Sequence, residues 1–428
     1  MKTTGVLAKA IITGLAIASC TAASAADTIK VGVLHSLSGT MAISETTLKD
    51  TVLMLIDEQN KKGGLLGKKL EAVVVDPASD WPLFAEKAAQ LLEKDKVAVV
   101  FGCWTSSSRK SVLPVFEKDN GLLFYPVQYE GEESSKNVIY TGAAPNQQAI
   151  PAVDYLMNEI KVKRWVLEGT DYVYPRTTNK ILEAYLKSKG VAADDIIINY
   201  TPFGYSDWQS EVSKIKKFGS AGKKTAVVST INGDANVPFY KELGNEKISA
   251  EDIPVVAFSV GEEELSGLDT KPLVGHLAAW NYFMSVKNPV NDEWIKKWHA
   301  FTKNPKRTFN DPMEAHVIGF QMWVKAVEKA KTTDVSKVID ALPGTEAPNL
   351  TGGTAKLLPN HHLTKPVLIG EVRGDGQFDI VWQTKGLVAG DAWTDFLPAS
   401  KDIEADWVTL KCGNYNTKTK VCSGQNYK

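Results

Sequence analysis

Residues 96–131 read KVAVVFGCWTSSSRKSVLPVFEKDNGLLFYPVQYEG, and this stretch decides the fold class. An apolar run that ends at Gly102 is followed by a helix-like segment, and a second apolar run ends in Gln128 and Tyr129. Two short apolar strands separated by a helix are typical of a βαβ unit, whose strands are parallel. The polar side chains follow the strands, so we expect both strand ends to face a shared surface.

The same alternation continues on both sides of this stretch. TIKVGVLHSL at 28–37 and KKLEAVVVD at 68–76 predict two strands before it. A second round of strands follows, at 164–170, 195–203, 225–231 and 253–259. We therefore predict an α/β protein of two doubly wound parallel-sheet lobes joined by crossing strands. PVLIGEVRGDGQFDIVWQ at 366–383 predicts a β-hairpin with GDG at its turn.

The division of the chain follows from these two rounds. TGAAPNQQA at 141–149 and HLAAWNYF at 276–283 predict crossings between lobes rather than flexible tethers. The predicted parts are a leader over 1–26, a first lobe over 27–144 and 278–345, a second lobe over 145–277 and 346–400, and a tail over 401–428.

The N-terminus indicates export. MKTTGVLAKA carries two lysines and no acid, IITGLAIA is a short apolar core, and ASAA supplies small residues for cleavage after Ala25 or Ala26. IASC, which ends at Cys20, is the alternative of a lipoprotein cleavage box. We expect an exported protein of the periplasm. The net charge of −1 gives no reason to invoke nucleic acid or an anionic membrane surface.

The cysteines and histidines suggest structural roles. Cys103 closes a buried strand and is expected to be an inert small hydrophobe. The spacing of Cys412 and Cys422 suits a local disulfide, and a metal site is the weaker reading because no histidine or third cysteine lies nearby. His361 and His362 predict a surface loop rather than a metal site. No cofactor is expected.

Polar and aromatic residues collect at the predicted strand ends, where open parallel sheets bind ligands. The candidate ligand-binding residues are Trp104, Thr105, Ser106, Gln128, Tyr129, Asp171, Tyr172, Asn232, Asp234 and Glu262. Structural roles compete with these readings. The hydroxyls at 105–108 could cap a helix, Trp104 could be core, Asp171 could brace its own turn, and 232–234 could be a tight turn.

Several motifs carry a family resemblance. They are GCWTSSSRKSVLPVFE, FYPVQYEG, YTGAAPNQQAIPAV, DYVYPRT, INGDANVPFYKEL, GHLAAWNY, DPMEAHVIG and IGEVRGDGQFDIVW, in this order along the chain. Together they resemble the type I periplasmic solute-binding proteins of the branched-chain amino acid and amide group, with the nearest likeness to the urea-binding subunit of urea ABC transporters. The likeness covers essentially all of the chain after the leader.

The resemblance implies roles for some of the candidate residues. Ser106 and Thr105 align with the hydroxyl loop that meets the ligand's carboxylate or amide group. Trp104 aligns with a flat aromatic wall, and Tyr129 with a second contact from the first lobe. In the second lobe, Tyr172 aligns with an aromatic residue that reaches across to the ligand. Asn232 and Asp234 lie in the next contact loop, and Glu262 aligns with an acid that binds the ammonium group in amino-acid-binding relatives.

The residues themselves agree with a small amide as ligand. Urea presents four N–H donors and one carbonyl, and each buried polar group left unmatched costs about 1–3 kcal/mol. Gln128, Asp171, Asn232, Asp234 and Glu262 could supply the acceptors. We expect a monomer that captures urea and delivers it to the membrane permease of an ABC transporter, without being an enzyme. The alternatives are a binder of short amides or branched-chain amino acids, and a periplasmic amide sensor.

Overall fold

The computed structural model describes Met1 and residues 27–423. Apart from Met1, the predicted leader, with its cleavage site and Cys20, lies outside the described residues, as do residues 424–428. None of the helices in the described part of the chain is long and apolar enough to cross a membrane.

The described residues alternate between strands and helices over most of their length. The strands are β1 Ile29–Leu34, β2 Leu70–Val75, β3 Val99–Gly102, β4 Leu123–Tyr125, β5 Val138–Tyr140, β6 Arg164–Thr170, β7 Ile196–Thr201, β8 Thr225–Thr230, β9 Val255–Ala257, β10 Leu277–Trp280, β11 Glu346–Pro348, β12 Thr354–Lys356, β13 Thr364–Lys365, β14 Leu368–Val372, β15 Phe378–Gln383, β16 Val388–Ala389, β17 Ile403–Asp406, β18 Cys412–Asn416 and β19 Val421–Cys422. The helices are α1 Ala42–Lys61, α2 Trp81–Ala89, α3 Ser106–Lys118, α4 Ala149–Asn158, α5 Val173–Ser188, α6 Gln209–Gly219, α7 Asn236–Asn245, α8 Glu262–Leu265, α9 Pro289–Thr302, α10 Asp311–Ala330 and α11 Val335–Ala341.

Two sheets form the centres of the two lobes, as predicted. The first lobe has five parallel strands in the order β2-β1-β3-β4-β5. The second lobe has seven strands in the order β15-β14-β10-β9-β8-β6-β7, of which β6 to β10 are parallel. The central strands β3 and β8 are buried along their whole length, because helices cover both faces of a parallel sheet. The predicted hairpin is β14 and β15, and Gly376 takes the positive φ of 78° at its turn.

Sheet pairing and packing place two segments differently from the predicted division of the chain. The predicted boundary at residue 278 falls inside β10, which pairs with β9 and β14 of the second lobe. The segment 346–363 was expected in the second lobe, but its apolar side chains pack into the first lobe's core, namely Ala347, Leu350, Ala355, Leu357 and Leu363. Apolar periodicity marks buried positions without showing which core they enter.

Three crossing segments connect the lobes, and one side chain ties them together. The Nδ2 of Asn281, just after β10, donates to the carbonyl of Gln147 at 2.9 Å and to the carbonyl of Pro366 at 2.8 Å. Gln148 adds hydrogen bonds to the carbonyls of Phe258 and Ala279 in the second lobe. The lobes are therefore joined by a hydrogen-bonded hinge.

The tail packs on the first lobe and contains the predicted disulfide between Cys412 and Cys422. The Trp407 indole donates to Ser134 at 3.0 Å. His361 and His362 are fully buried, so the prediction of a surface loop is wrong. The reason is an aromatic stack, because the His362 ring lies parallel to the Tyr140 ring at 4.7 Å.

The number of reactive cysteine thiols tests the predicted disulfide. We expect no reactive thiol in the native mature chain, one after denaturation, and three after reduction. Cys103 is buried, and burial raises the pKa of its thiol, so the reactive thiolate is scarce. The bond between Cys412 and Cys422, ten residues apart, is worth roughly 2–3 kcal/mol in the chain-entropy model. Three thiols counted in the denatured, unreduced protein would show that the tail is not bonded.

Glu168 makes stability depend on pH. It is fully buried in β6 beside Asn199, and burial raises its pKa from the ordinary 4.5 to about 8. Between these values the folded protein holds a proton that the unfolded chain has lost. Its contribution to stability is therefore complete below about pH 4.5 and falls as pH rises to about 8, by at most about 1.4 kcal/mol per pH unit.

We expect the Glu168→Gln variant to lose less stability than the wild type between pH 5 and pH 8. The free energy of unfolding is measured with guanidinium chloride at both pH values. Glu86→Gln, on the exposed side of α2, is the matched control and keeps the wild-type dependence. Equal losses in the wild type and in Glu168→Gln would contradict a buried, protonated Glu168.

Candidate functional site

The carboxyl ends of the two sheets face each other, and Trp104 spans the junction. Trp104 follows β3, and its indole Nε1 donates to Oδ1 of Asn232, which follows β8 in the other lobe, at 3.3 Å. The Trp104 carbonyl accepts the Tyr125 hydroxyl. Trp104 is buried, as expected for a core residue, yet the indole nitrogen, the one polar atom of its side chain, forms a hydrogen bond to the other lobe.

A second junction joins Gln128 and Ser259. The Gln128 Nε2 donates to the Ser259 hydroxyl at 2.6 Å, so this contact also crosses between the lobes. The Gln128 Oε1 is buried without a hydrogen-bond partner among the described residues. The Tyr174 hydroxyl of the second lobe is buried close to Gln128 and Ser259, and it too has no partner there at normal hydrogen-bond geometry. Gln128 Oε1 from the first lobe and the Tyr174 hydroxyl from the second are thus both unpaired among the described residues, near the same contact between the lobes.

Tyr172 closes one side of the junction. It stands at the N-terminal cap position of α5, and its ring packs against Phe203 at 4.8 Å. Phe203 in turn packs against Trp81 of the first lobe at 5.3 Å. Burial raises the pKa of Tyr172 well above its ordinary value, so the phenol stays neutral. The structure therefore brings together Trp104, Gln128, Tyr172 and Asn232 from the predicted set.

Two predicted acids lie on the surface. Asp171 forms an exposed ion pair with Arg176 at 2.6 Å, which is the local bracing role considered above. Asp234 is exposed, and its backbone N–H donates to the carbonyl of Thr40 in the first lobe at 3.2 Å. The Asp171 carboxylate is therefore taken up by Arg176, and no hydrogen bond joins either carboxylate to Trp104 or Gln128 among the described residues.

Three further predicted residues have other contacts. Thr105 caps α3, because its hydroxyl accepts the N–H of Ser108 at 3.0 Å. Tyr129 lies inside the first lobe, where its hydroxyl contacts His362 Nε2 at 2.6 Å. Glu262 points toward the crossing segment and accepts the N–H of Met284 at 2.7 Å. Burial raises the pKa of Glu262 to about 8.

Ser106 belongs to a buried ionic cluster behind the first-lobe side of the junction. Its hydroxyl donates to Glu130, and Arg109 Nη1 donates to the Ser106 oxygen at 3.0 Å. Arg109 also binds Glu130 at 3.2 Å and Glu133 at 2.7 Å. Burial alone would raise the pKa of Glu133, but the Arg109 and Lys110 cations outweigh it and lower the pKa to about 2.

Sequence reasoning missed several residues of this region. Tyr125 is the last residue of β4, and Ser259 follows the end of β9. The strand-end rule that selected Trp104 could therefore have found both. Tyr174 also follows that strand rule, two residues after Tyr172 in the motif DYVYPRT, but it was not included among the candidate ligand-binding residues. The partnership of Glu130 with Ser106 had no local signal. No group of three or more His, Cys, Asp or Glu in the described part of the chain is arranged to hold a metal ion.

Comparison with known proteins identifies the family to which this chain belongs. A family model described as periplasmic binding protein domain matches residues 29–399. The leucine-, isoleucine-, valine-, threonine-, and alanine-binding protein of Pseudomonas aeruginosa is 25% identical over 328 residues, which cover 74% of this chain and 83% of that protein. A limonene hydroxylase of Geobacillus stearothermophilus is 30% identical over 146 residues, which cover 33% of this chain and 26% of that protein.

A solved structure agrees with the fold. The crystal structure of a periplasmic binding protein from Burkholderia mallei superposes with a TM-score of 0.73 at 16% identity, over 86% of this chain and 96% of that one. At this identity the likeness concerns the fold alone. The family model covers most of the chain, and residues that follow β3 and β4 in one lobe bond residues that follow β8 and β9 in the other. The chain therefore belongs to the type I periplasmic binding protein family, which includes the branched-chain amino acid binders.

Proposed function

We propose that this protein captures urea, or another small neutral amide, between its lobes and delivers it to the permease of an ABC transporter. The observation that carries the proposal is the unpaired couple of Gln128 Oε1 and the Tyr174 hydroxyl. They are buried, come from opposite lobes, and lie where Trp104 and Asn232 already bridge the lobes. Buried polar atoms without partners mark a place where a polar ligand restores the missing hydrogen bonds.

The chemistry of this place suits an amide better than an ion. The Gln128 oxygen accepts an N–H, while the Tyr174 hydroxyl can donate to a carbonyl. The raised phenol pKa values of Tyr172 and Tyr174, caused first by burial, keep both rings neutral. Aromatic rings beside this couple offer flat walls to a planar ligand. A charged ligand would lose its hydration without gaining a free counter-charge here.

Binding of an amino acid is the second candidate, because the Pseudomonas aeruginosa relative is named for binding five amino acids. An amino acid needs donors for its carboxylate and an acid for its ammonium group. Glu262 was the predicted acid; its Oε1 accepts the N–H of Met284, and its Oε2 has no partner among the described residues. Burial raises the pKa of Glu262 to about 8, so at neutral pH it holds a proton and is a poor partner for an ammonium group. Arg109 is held by Glu130 and Glu133. These contacts favour the neutral amide over the amino acid.

We also propose that the protein is exported to the periplasm, acts as a monomer, and binds its ligand without converting it. The leader sequence supports export. The partial match to a limonene hydroxylase covers only 26% of that enzyme, so it gives little support for catalysis. Ammonia release from urea or acetamide by the pure protein would point to a hydrolase, and capture by a sensor kinase ectodomain rather than a permease would point to an amide sensor.

A thermal-shift panel tests the class of ligand. A compound that binds only the folded state raises the melting temperature, by mass action. We expect urea, formamide and acetamide at millimolar concentration to raise it, and leucine to leave it unchanged. A rise with leucine and none with the amides would favour the amino acid candidate.

A further inference from the structure

Ser106 is held in one hydrogen-bonding direction. It stands at the start of α3, donates its hydroxyl hydrogen to Glu130, and accepts a hydrogen bond from Arg109 Nη1 at 3.0 Å. A serine hydroxyl has one hydrogen and two lone pairs. Both the hydrogen and one lone pair are therefore in use. What remains for a ligand is the second lone pair, which accepts an N–H and repels another oxygen.

The guanidinium group of Arg109, like the Ser106 hydroxyl, is fixed by its hydrogen bonds. Arg109 is fully buried, with Nε bonded to Glu133 at 2.7 Å and Nη2 bonded to Glu130 at 3.2 Å. The Tyr125 and Tyr129 rings lie 4.8 and 4.7 Å from its guanidinium carbon. The carboxylates and rings thus occupy Arg109, so it does not serve as a receptor for a ligand carboxylate.

The cluster is close enough to the junction to influence a ligand there. Glu130 and Arg109 lie within electrostatic reach of Tyr172, and Glu130 within reach of Tyr174. Gln128 adds a second unpaired acceptor, because its Nε2 is used by Ser259. The first-lobe side of the junction therefore carries the unpaired Gln128 Oε1, and the Ser106 oxygen and the Glu130 carboxylate belong to the cluster directly behind it.

We propose that Glu130 makes this protein select amides against carboxylates of the same shape, by holding the hydrogen of Ser106. The inference rests on the proposed function, that the cleft binds a small amide. An amide N–H can donate to the free lone pair of Ser106. A carboxylate oxygen would face that lone pair and would receive no hydrogen bond from Ser106, because Glu130 holds the hydroxyl hydrogen. Glu130 is a positioning residue, since it acts through Ser106.

Acetamide and acetate are the probes, because they share a shape and differ in N–H groups and charge. Both are titrated by calorimetry at pH 7.5 into the full mature protein and into Glu130→Gln. The new side-chain amide can donate to Ser106, which frees the Ser106 hydrogen for a ligand. We expect the ratio of acetate affinity to acetamide affinity to rise at least about tenfold, the size expected when a buried ligand oxygen gains a hydrogen-bond donor. Loss of general stability would not move this ratio.

Glu133→Gln is the matched control. It removes the same charge from the same Arg109, but Glu133 contacts Lys110 and Tyr140 rather than Ser106. Its affinity ratio should stay within about threefold of the wild type, because the direction of the Ser106 hydrogen is unchanged. Equal rises in the two variants, or no rise in Glu130→Gln, would overturn the proposal.

Ser106→Ala decides the matter if Glu130→Gln does not fold. It removes the hydroxyl and keeps every charge, so acetamide should bind about tenfold more weakly and the ratio of acetate affinity to acetamide affinity should rise. Unchanged acetamide affinity, or equal weakening of both ligands, in Ser106→Ala would overturn the inference. A wild type that binds no amide overturns the proposed function and this inference together, whereas amide binding with an unchanged ratio in Glu130→Gln overturns the inference alone.

Discussion

Replacing Arg109 with Met is expected to lower the free energy of unfolding by about 3–5 kcal/mol, the usual result of removing one partner from a buried ion pair. The substitution keeps most of the side-chain volume and takes the buried cation away from Glu130 and Glu133. Lys110, which is about 40% exposed, still pairs with Glu133 at 2.8 Å and lies 4.0 Å from Glu130, so Glu130 loses the most compensation. The measurement is equilibrium unfolding in guanidinium chloride at pH 7, since urea is the proposed ligand and would confuse the result.

Arg176→Met provides the matched control for that experiment. Arg176 also pairs with a carboxylate, Asp171, but both side chains are about half exposed. An exposed pair contributes about 0–1 kcal/mol, because water screens it. If Arg109→Met costs no more than Arg176→Met, the buried cluster does not contribute to stability in the way described.

Replacing Gln128 with Ala is expected to weaken the binding of urea about 10- to 100-fold. The variant loses the unpaired Oε1 acceptor and the 2.6 Å bond to Ser259 across the lobes. Each lost partner is worth about 1–3 kcal/mol when the group left behind is buried. Titration calorimetry measures the dissociation constant of the wild type and the variant under the same conditions.

Gln209→Ala is the control, because Gln209 is exposed at the start of α6 and should leave the affinity unchanged. Tyr174→Phe tests the other half of the couple by removing a single oxygen, and we expect about tenfold weaker binding. Unchanged urea affinity in both Gln128→Ala and Tyr174→Phe would mean that the ligand lies elsewhere.

Much of the fold could be predicted because a parallel sheet has a strong local signature. Short apolar strands alternate with amphipathic helices in this chain, and the order of the strands follows the usual rules for such units. The assignment of 346–363 to a lobe failed because burial depends on tertiary contacts. The histidines His361 and His362 look polar in the sequence, yet stacking on Tyr140 gives His362 a buried environment.

The strand-end rule selected the right region of the molecule but could not give side-chain directions. Trp104, Gln128 and Asn232 meet across the lobes, whereas Tyr129 follows the same strand as Gln128 and turns inward to His362. Asp171 takes a local partner, because a charged group remains where water can solvate it.

The role of Ser106 could not be predicted for a similar reason. Arg109 is only three residues away on the same helix, so that contact is local. Glu130 is 24 residues away in sequence and reaches Ser106 only after β4 has paired with β3. The direction of the hydroxyl therefore depends on the assembled sheet, because a serine hydroxyl by itself can either donate or accept.

One titration tests the central claim most directly, namely that the cleft binds a small neutral amide. Urea has four heavy atoms, and the best very small ligands gain about 1.5 kcal/mol per atom, which gives a limit near −6 kcal/mol and a Kd of roughly tens of micromolar. We predict that calorimetry on the wild-type mature protein gives urea a Kd in this range and leucine one at least about 100-fold weaker. Leucine binding more tightly than urea would contradict the account.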